Sequence, residues 1–487
     1  MSVHVLWPSP ERARRPLCVD LDGTLVHADL LFEMFVRYIK KNPLRVFKVI
    51  GWFARGPACI KARLAQEVEL DVRTLPTNAR FIEWLQGEKK AGRKLVLCTA
   101  ANESIATKVA AYFGLFDEVI ASCDATNICG KAKAVRLVDR YGPKGFDYAA
   151  NERKDLHVWR HANAAIVVAP PSLLERLRKE AITIERVFEV ASASLSGRLK
   201  SWLRALRLHQ WVKNVLVFVP LAAAHRLDDV QALASCVLAF VLFSLCASGG
   251  YIVNDLLDLD SDRAHPRKRQ RPFASGDIPI LHGLIGAAAL IAGALAFAAL
   301  TLPLAFAATL AVYLVTSLWY SLALKRVAMV DVLSLAGLYT LRIVAGGAAV
   351  AIVPSFWLLA FSVFLFLSLA TAKRYAELHV ANAAGRSTAP GRGYSVADLP
   401  LLQSSGIAAG YLAVLVLALY INSGAASMYR FEELLWCLCP LLLYWTNRVW
   451  LKTSRGTMHD DPVVFALTDR RSLIVFGLAA LLVIIAT

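Results

Sequence analysis

The sequence lacks the patterns of a disulfide-stapled or zinc-binding protein. Its nine cysteines include no Cys-x-x-Cys pair, the spacing with which zinc ribbons usually begin. The N-terminal residues carry charges and no apolar run long enough for a signal peptide, so we expect the first part of the chain to stay in the cytosol. Together these features argue against the secreted, disulfide-rich class.

Charge is missing from one long stretch of the chain. Ile278–Leu324 contains no Asp, Glu, Lys or Arg, and its 47 residues, interrupted near Pro303, are enough for two membrane spans. With 57% hydrophobic residues and a mean hydropathy of +0.50, the 487-residue chain is too apolar for a single soluble enzyme. We predict about nine transmembrane helices, near 207–226, 231–255, 279–300, 303–323, 331–351, 355–374, 402–421, 432–451 and 468–486.

The basic residues predict how these spans are oriented. Sixteen Lys and Arg fall in the connections 256–277, 323–329, 372–400 and 446–472, and two in the connections on the opposite side. By the positive-inside rule the first group faces the cytoplasm, which places the C-terminus outside. The net charge of +17 is thus explained by membrane topology, and no nucleic-acid partner is needed.

The chain divides into three parts by composition. Residues 1–189 mix charges with short apolar strings and predict a soluble α/β domain. Residues 190–206 alternate apolar and basic positions at helical spacing, which predicts an amphipathic helix in the headgroup region. Residues 207–487 form the predicted all-α membrane domain.

An acidic cluster followed by a basic one ends the second predicted span. Asp255, Asp258 and Asp262 are three and four residues apart and share one helical face. Hard oxygen ligands of this kind suit Mg²⁺ bridging phosphate oxygens, and the residues that follow offer charges for a polyphosphate. The alternative is a solvated loop whose charges only set topology. The candidate ligands of this loop are Asn254, Asp255, Asp258, Asp262, Arg267, Lys268 and Arg271.

Other polar side chains fall inside or beside the predicted spans. Lys213, next to Asn214, either snorkels or lines a cavity. Tyr320 and Lys325 end the fourth span, where Lys325 is equally well a topology anchor. Arg342 lies mid-span and is either a phosphate ligand or the partner of Asp331, three helical turns earlier. Three further candidates, which could equally be a charged helix end, are Lys373, Arg374 and Glu377.

The aspartate pattern Asn254-Asp-x-x-Asp258-x-x-x-Asp262 resembles the first motif of the UbiA superfamily of intramembrane prenyltransferases. The segments around His209–Asn214, Arg271–Gly276, Leu341–Gly347 and Lys373–Leu378 look like its decaprenyl-phosphate phosphoribosyltransferase branch. Lys373-Arg-Tyr-Ala-Glu377 stands where branches that use prenyl diphosphates carry a second Asp-x-x-x-Asp.

This resemblance implies Mg²⁺-dependent transfer of 5-phosphoribose from phosphoribosyl pyrophosphate to a polyprenyl phosphate, with Asp255 and Asp258 as catalytic residues. A strongly anionic donor agrees with one acidic cluster and many Lys and Arg. Two other functions stay open: prenylation of an aromatic acceptor from a prenyl diphosphate, and a transporter or scaffold without enzymatic activity. The resemblance also implies a multi-pass protein of the bacterial inner membrane, with its active sites cytoplasmic; whether it forms homo-oligomers is left open.

The N-terminal part carries a second set of motifs. An apolar strand ends in Asp20-Leu-Asp22-Gly-Thr24, a later strand ends in Thr99, Lys133 opens a helix, and Asn151-Glu-Arg-Lys-Asp155 follows a third strand. In this order they resemble the haloacid dehalogenase-like phosphatases, which implies a Rossmann-like fold with a small helical cap at about 30–78.

The resemblance assigns roles to these residues. Asp20 is the expected nucleophile and Asp22 the general acid/base, with Thr99 and Lys133 holding phosphoryl oxygens. The implied Mg²⁺ ligands are Asp20, Asp22, Asn151 and Asp155. The family's fourth motif usually begins with Gly-Asp, and Ala150-Asn151 here removes one negative charge from the metal site. A working phosphatase and a structural or regulatory remnant both remain open.

Overall fold

The computed structural model describes residues 15–123, 126–169, 171–189, 195–388, 391–423, 429–458 and 462–487. The chain forms two compact units. The first comprises Met1–Ala205 together with Asp255–Ile285, and the second comprises Leu206–Asn254 and Gly286–Thr487. The segment Asp255–Ile285, which sequence analysis placed in the membrane domain, therefore packs with the N-terminal residues.

A six-stranded parallel sheet forms the centre of the first unit. The strand order is β3-β2-β1-β4-β5-β6, and β1 lies between β2 and β4, with Leu17 paired to Leu95 on one side and to Asp147 on the other. In such a sheet the carboxyl ends of the central strands form the binding crevice. The strands are β1 Leu17–Val19, β2 Leu95–Asn102, β3 Glu118–Ser122, β4 Asp147–Ala150, β5 Ala165–Ala169 and β6 Ile184–Glu189.

Both faces of this sheet are covered. Along β1, Leu17 and Val19 pack into one apolar cluster and Cys18 into the other, because side chains alternate between faces along a strand. All three residues are fully buried. This explains why the strand is a continuous apolar run instead of an alternating one.

Helices cover the sheet and build the cap. Asp29 and Asn102 cap the first and fifth helices by accepting a backbone N–H. Between β1 and β2 the chain is helical, as predicted for 30–78. The helices of this part are α1 Leu30–Lys41, α2 Val46–Phe53, α3 Pro57–Glu67, α4 Ala79–Lys90, α5 Glu103–Phe113, α6 Lys131–Tyr141, α7 Leu156–Trp159 and α8 Pro171–Lys179.

The predicted amphipathic linker is partly described. Helix α9, Leu195–Leu206, covers most of it, and residues 190–194 lie outside the described residues. Leu195 and Leu199 are strongly exposed on this helix. The same helix carries Arg198, Lys200 and Arg204, and its interfacial position stays a prediction.

The remaining chain is helical. Helix α11 runs from the second unit into the first, where α12 follows it. The helices are α10 Val219–Ala223, α11 Val230–Leu257, α12 Leu259–Ala264, α13 Ile280–Thr301, α14 Leu304–Leu322, α15 Val330–Ala349, α16 Phe356–Ala383, α17 Leu399–Asn422, α18 Leu438–Ser454, α19 Pro462–Thr468 and α20 Arg470–Ala486.

Within the described residues, six helices are long and apolar enough to cross a membrane: α11, α13, α14, α15, α16 and the segment Val396–Asn422 that contains α17. All six coincide with predicted spans. The first predicted span is instead a 3-10 segment, Leu208–Phe218, followed by the short α10. The last two predicted spans correspond to α18 and α20, each of 17 residues, about 26 Å at 1.5 Å per residue. The count of nine spans stays a prediction.

Close helix packing in the second unit depends on small residues. A Cβ on Gly346 of α15 would lie 1.9 Å from the carbonyl oxygen of Val217, and one on Gly406 of α17 would lie 2.1 Å from the Trp450 ring. Glycine lets these backbones approach their neighbours, as is common between membrane helices. The 3-10 segment therefore packs tightly against α15 despite its irregular backbone.

Candidate functional sites

The first site lies at the carboxyl ends of β1, β2 and β4. Asp20 follows β1 and accepts a 2.8 Å hydrogen bond from Lys133 Nζ at the start of α6. The same Nζ donates to the Tyr148 hydroxyl at 2.9 Å, and that hydroxyl donates to Asp155 Oδ1 at 3.0 Å. The two carboxylates expected to share a metal are thus connected through Lys133 and Tyr148.

Burial and neighbouring charges tune these groups. Burial and the carboxylates of Asp29 and Asp20 raise the pKa of Asp22 to about 8, and burial and Asp20 raise that of Asp155 to about 7. Burial lowers the pKa of Lys133, but the Asp20 carboxylate outweighs it and holds that pKa above its usual value. Asp22 can therefore carry a proton near neutral pH, which is what a general acid needs.

The remaining predicted residues of this site are also in place. Thr99 lies fully buried in β2, where its Oγ1 accepts from the backbone N–H of Ala101. Asn151 accepts a 3.2 Å hydrogen bond from Thr24 Oγ1. The chain takes φ +72° at Gly23, and a Cβ there would be 2.0 Å from Asn151 Nδ2. The fourth-motif amide therefore packs directly on the first-motif turn.

Two residues of this site were missed by sequence analysis. Tyr148 lies in β4 and Lys61 lies in α3. Neither residue is among the predicted site residues. Lys61 Nζ donates to the carbonyl oxygen of Ala100, next to Thr99, at 2.7 Å and to Asn127 Oδ1 at 3.1 Å. Burial lowers its pKa. No sequence pattern we considered points to either residue.

The aspartate cluster lies at the end of α11 and in α12, within the first unit. Arg271 Nη1 donates to Asp255 Oδ1 at 3.0 Å and to Asp262 Oδ2 at 2.7 Å, and both carboxylates are almost fully buried. Burial raises the pKa of Asp262, against the lowering effect of Arg271. Asp258 is half-buried, 4.0 Å from Lys40 Nζ.

Both sites offer the oxygen donors that Mg²⁺ prefers. Asp255 and Asp262 already converge on one cationic atom of Arg271. Among the described residues no group of three or more His, Cys, Asp or Glu is placed to hold a metal. Mg²⁺ commonly uses one or two carboxylates and completes its shell with water and substrate phosphates, so these donor pairs fit a substrate-completed Mg²⁺ site. The assignment of Asp258 as a third ligand stays a prediction.

The other residues expected in this loop differ in exposure. Asn254 is half-buried in α11, one residue before Asp255, while Arg267 and Lys268 are exposed. The exposed basic residues are therefore available to an anion approaching from solvent.

A second polar cluster lies inside the helical unit. Arg342 of α15 donates from Nε to Asn214 Oδ1 at 2.9 Å and from Nη2 to the Tyr313 hydroxyl at 3.0 Å. Its guanidinium lies 5.3 Å from the centre of the Tyr339 ring, and Lys213 Nζ lies 5.7 Å from the same centre. The two side chains to which Arg342 donates, Asn214 and Tyr313, are uncharged. Lys213 and Arg342 thus place two buried cations close to one ring.

A third cluster corrects one expectation. Asp331 is fully buried and pairs with Arg374 of α16, not with Arg342. Tyr320 donates to Asp331 Oδ1 at 2.7 Å, and Arg374 also pairs with Glu377. The prediction that Arg342 is the partner of Asp331 is wrong, since a neighbouring helix supplies a nearer guanidinium.

Two further predicted substrate ligands are Lys373 and Lys325. Lys373 is half-buried on α16, and Lys325 is half-buried in the 3-10 turn Leu324–Arg326. Their assignment as substrate ligands stays a prediction.

Both parts of the chain match known protein families. The model described as "UbiA prenyltransferase family" matches residues 215–483, over half of the chain. The chain belongs to the UbiA prenyltransferase family. The model described as "haloacid dehalogenase-like hydrolase" matches residues 17–157, so this UbiA-family protein carries a haloacid dehalogenase-like domain at its N-terminus.

Three curated proteins are similar to this UbiA-family chain. An uncharacterized protein, y4nM, of Sinorhizobium fredii is 36% identical over 96% of this chain and 90% of its own length. The nodulation protein NoeC of Azorhizobium caulinodans is 36% identical over 57% of this chain and 91% of its own. A decaprenyl-phosphate phosphoribosyltransferase of Mycobacterium tuberculosis is 42% identical over 38% of this chain and 62% of its own. The fusion of both domains is thus shared with a full-length relative.

Proposed function

We propose that this protein transfers 5-phosphoribose from phosphoribosyl pyrophosphate to a polyprenyl phosphate at the cytoplasmic side of the bacterial inner membrane. The observation that carries the proposal is the buried pair Asp255 and Asp262, both bonded to Arg271. The 42% identity to the mycobacterial phosphoribosyltransferase supports the choice of substrates.

The proposed transfer depends more on stabilising the charge of the leaving pyrophosphate than on a general base. The bond between the anomeric carbon and pyrophosphate breaks, pyrophosphate keeps the electron pair, and an oxygen of the lipid phosphate forms the new bond. That oxygen is already anionic. Mg²⁺, held by Asp255 and Asp262 with Asp258 nearby, would supply positive charge for the leaving pyrophosphate. The side chains then contribute mainly positioning and electrostatics.

In the proposal one set of basic side chains binds the donor and another binds the lipid phosphate. Arg271, Arg267 and Lys268 lie in the loop that carries the aspartates and would bind the phosphates of the donor. Lys213 and Arg342 are buried cations in the helical unit, and a polyprenyl phosphate offers one anionic head on an apolar tail. Ionisable side chains inside membrane domains commonly mark substrate pathways, and the proposal therefore assigns the lipid phosphate to these two.

We further propose that the N-terminal domain removes the 5-phosphate from the product. Asp20 would attack phosphorus, and Asp22, with its raised pKa, would protonate the departing ribose oxygen. Water, deprotonated by Asp22, would then hydrolyse the aspartyl phosphate and release inorganic phosphate. Lys133 orients Asp20 through its 2.8 Å hydrogen bond.

A radiolabel assay tests the transfer. The purified chain is incubated with ribose-labelled phosphoribosyl pyrophosphate and decaprenyl phosphate, and label is measured in the organic phase. We expect Mg²⁺-dependent transfer that Asp255→Asn abolishes. Asp277→Asn is the matched control, because Asp277 is an exposed carboxylate of the same segment. Label that never enters lipid, together with prenylation of an aromatic acceptor, would replace this proposal by a prenyltransferase.

Phosphate release tests the second step. In the same reaction, Asp20→Asn is expected to leave the phosphoribosyl lipid intact and to stop release of its 5-phosphate. A wild-type protein that makes the lipid but releases no phosphate from it would refute the phosphatase step while leaving the transferase proposal standing.

A further inference from the structure

The cap helix α1 contacts the loop that carries the aspartate cluster, within the first unit. Glu33 of α1 is fully buried. Its two carboxylate oxygens accept hydrogen bonds from Arg263 of α12, Nη2 at 2.6 Å and Nη1 at 3.1 Å. A buried carboxylate is costly without a cationic partner, so the cap depends on Arg263, 230 residues further along the chain.

Arg37, one turn after Glu33, extends this contact. It donates to Glu33 Oε2 at 2.6 Å and binds Asp260 in a bidentate manner, at 2.5 Å and 3.2 Å. Two carboxylates and two guanidiniums therefore alternate in an uncharged group, and we call these four residues (Glu33, Arg37, Asp260 and Arg263) the cap clasp. Such paired geometry is stiff, because bidentate bonds fix orientation as well as distance.

The cap clasp is connected to the candidate donor site through Arg263 and its neighbour Asp262. Arg263 Nε donates to the carbonyl oxygen of Ala274 at 3.1 Å, which fastens α12 to the segment after Arg271. Asp262, the neighbour of Arg263, accepts from Arg271. At the end of this segment Gly276 adopts φ +84°, and a Cβ there would lie 2.9 Å from the carbonyl oxygen of His27. The loop is thus held against the N-terminal domain at both of its ends.

We propose that Glu33 and Arg37 are positioning residues for the transferase: through Arg263 and Asp260, the cap of the phosphatase-like domain sets the geometry of Asp262 and Arg271, and hence the binding of the anionic donor. The inference rests on the proposed function, in which this cluster binds phosphoribosyl pyrophosphate. It assigns the N-terminal domain a role in transfer that does not require phosphatase activity.

Steady-state kinetics of the full-length protein provide the test. Glu33→Gln keeps the shape of the side chain and removes its charge. We expect it to raise the KM for phosphoribosyl pyrophosphate about tenfold, the usual effect of losing a residue that orients ligands, with the KM for decaprenyl phosphate unchanged. Arg263→Gln should raise the same KM, and the double variant should raise it by less than the product of the two single effects, since both substitutions remove the Glu33–Arg263 pair.

Two further variants keep the test decisive. Asp260 is partly exposed, so Asp260→Asn weakens the cap clasp without burying an unpaired charge and should give a smaller rise in the same KM. Asp71→Asn is the control, because it removes an exposed ion pair with Arg73 in the cap. The asparagine side chain can still accept the hydrogen bond at the start of the following turn. This variant should change neither KM.

Hydrogen exchange separates failure of this inference from failure of the proposed function. In Glu33→Gln, amides of 258–276 should lose protection while those of β1 and β2 keep it. Unchanged exchange and unchanged kinetics would overturn the inference, as would an equal rise of both KM values. A wild-type protein that transfers no phosphoribose would overturn the proposed function, and exchange in 258–276 would still decide whether Glu33 holds the loop.

Discussion

At the scale of single residues, Asn151 decides how strongly the N-terminal domain can hold Mg²⁺. Its amide accepts from Thr24, and a carboxylate would accept equally well. Asn151→Asp should therefore lower the Mg²⁺ concentration for half-maximal phosphate release by about tenfold, because Mg²⁺ affinity rises with ligand charge. The measurement is a Mg²⁺ titration of phosphate release, with Asn151→Ala as the variant that removes the oxygen. A domain that stays inactive in both variants would be a remnant.

Gly23 is the residue on which this turn depends. Alanine would be strained at φ +72° and would place its Cβ 2.0 Å from Asn151 Nδ2. Gly23→Ala should reduce phosphate release at least tenfold, since a small displacement of reacting groups is costly, and should leave transfer of phosphoribose to lipid unchanged. Gly92, which has a positive φ and open space around its Cβ position, is the matched control.

Residue types in a known order were enough to predict which motif side chains lie together in the N-terminal domain, while their catalytic roles stay predictions. Asp20, Lys133 and Asp155 meet because strand ends of a parallel sheet share one edge, and that follows from topology. Tyr148 and Lys61 could not be predicted, because their roles depend on which side chains happen to face the crevice. The spacing of Asp331 and Arg342 places them on one face of α15, which is why they were expected to pair. Spacing within one helix cannot show that Arg374 of α16 lies closer to Asp331.

At the scale of elements, buried ion pairs join α15 to α16. Asp331 has no exposed surface and pairs with Arg374, while Arg392 approaches it at 3.5 Å. Asp331→Asn would leave two guanidiniums without this carboxylate, and we expect it to destabilise the protein by about 3–5 kcal/mol. Thermal unfolding in detergent measures this.

The control for this pair is an exposed one. Asp229 pairs with Arg226 at the start of α11 and also caps that helix. Asp229→Asn retains a capping side chain, so unfolding should be unaffected. Equal effects of the two substitutions would mean that burial of the Asp331 pair contributes nothing.

Element prediction succeeded where apolar runs are long. The six long spans follow from uninterrupted hydrophobicity, a property of composition. The segment after Arg207 was predicted as a span, yet it forms a 3-10 segment and a five-residue helix. Its Lys213, Asn214 and Gln210 already interrupt the apolar run, and its irregular backbone is tolerated because it is packed against α15.

At the scale of the whole molecule, the distribution of basic residues predicts orientation. A fluorescent protein fused to the C-terminus should stay dark, and alkaline phosphatase fused there should be active, because the positive-inside rule places this end outside. Fusions at residue 388, within a basic connection, should give the opposite pair of results. A fluorescent C-terminal fusion together with active alkaline phosphatase at residue 388 would reverse the predicted topology. A fluorescent C-terminal fusion with the expected result at residue 388 would instead change the number of spans after that residue.

The grouping of Asp255–Ile285 with the N-terminal residues was not predictable from sequence. Composition places this segment between two spans, and nothing in the local pattern of Arg263 names Glu33 as its partner. Contacts between positions so far apart depend on the folded backbone, and one sequence read by itself carries no record of them.

The chain order of this segment has a consequence for biosynthesis. A nascent polypeptide that has emerged only as far as residue 189 contains all six strands and the Glu33–Arg37 pair, but not Arg263, so the second ion pair of Glu33 cannot yet form. Translation must proceed past the long helix α11 and a further thirty residues before the first unit can close. At about 5–20 residues per second, completion of the first unit is therefore delayed by several seconds and coupled to insertion of α11 into the bilayer.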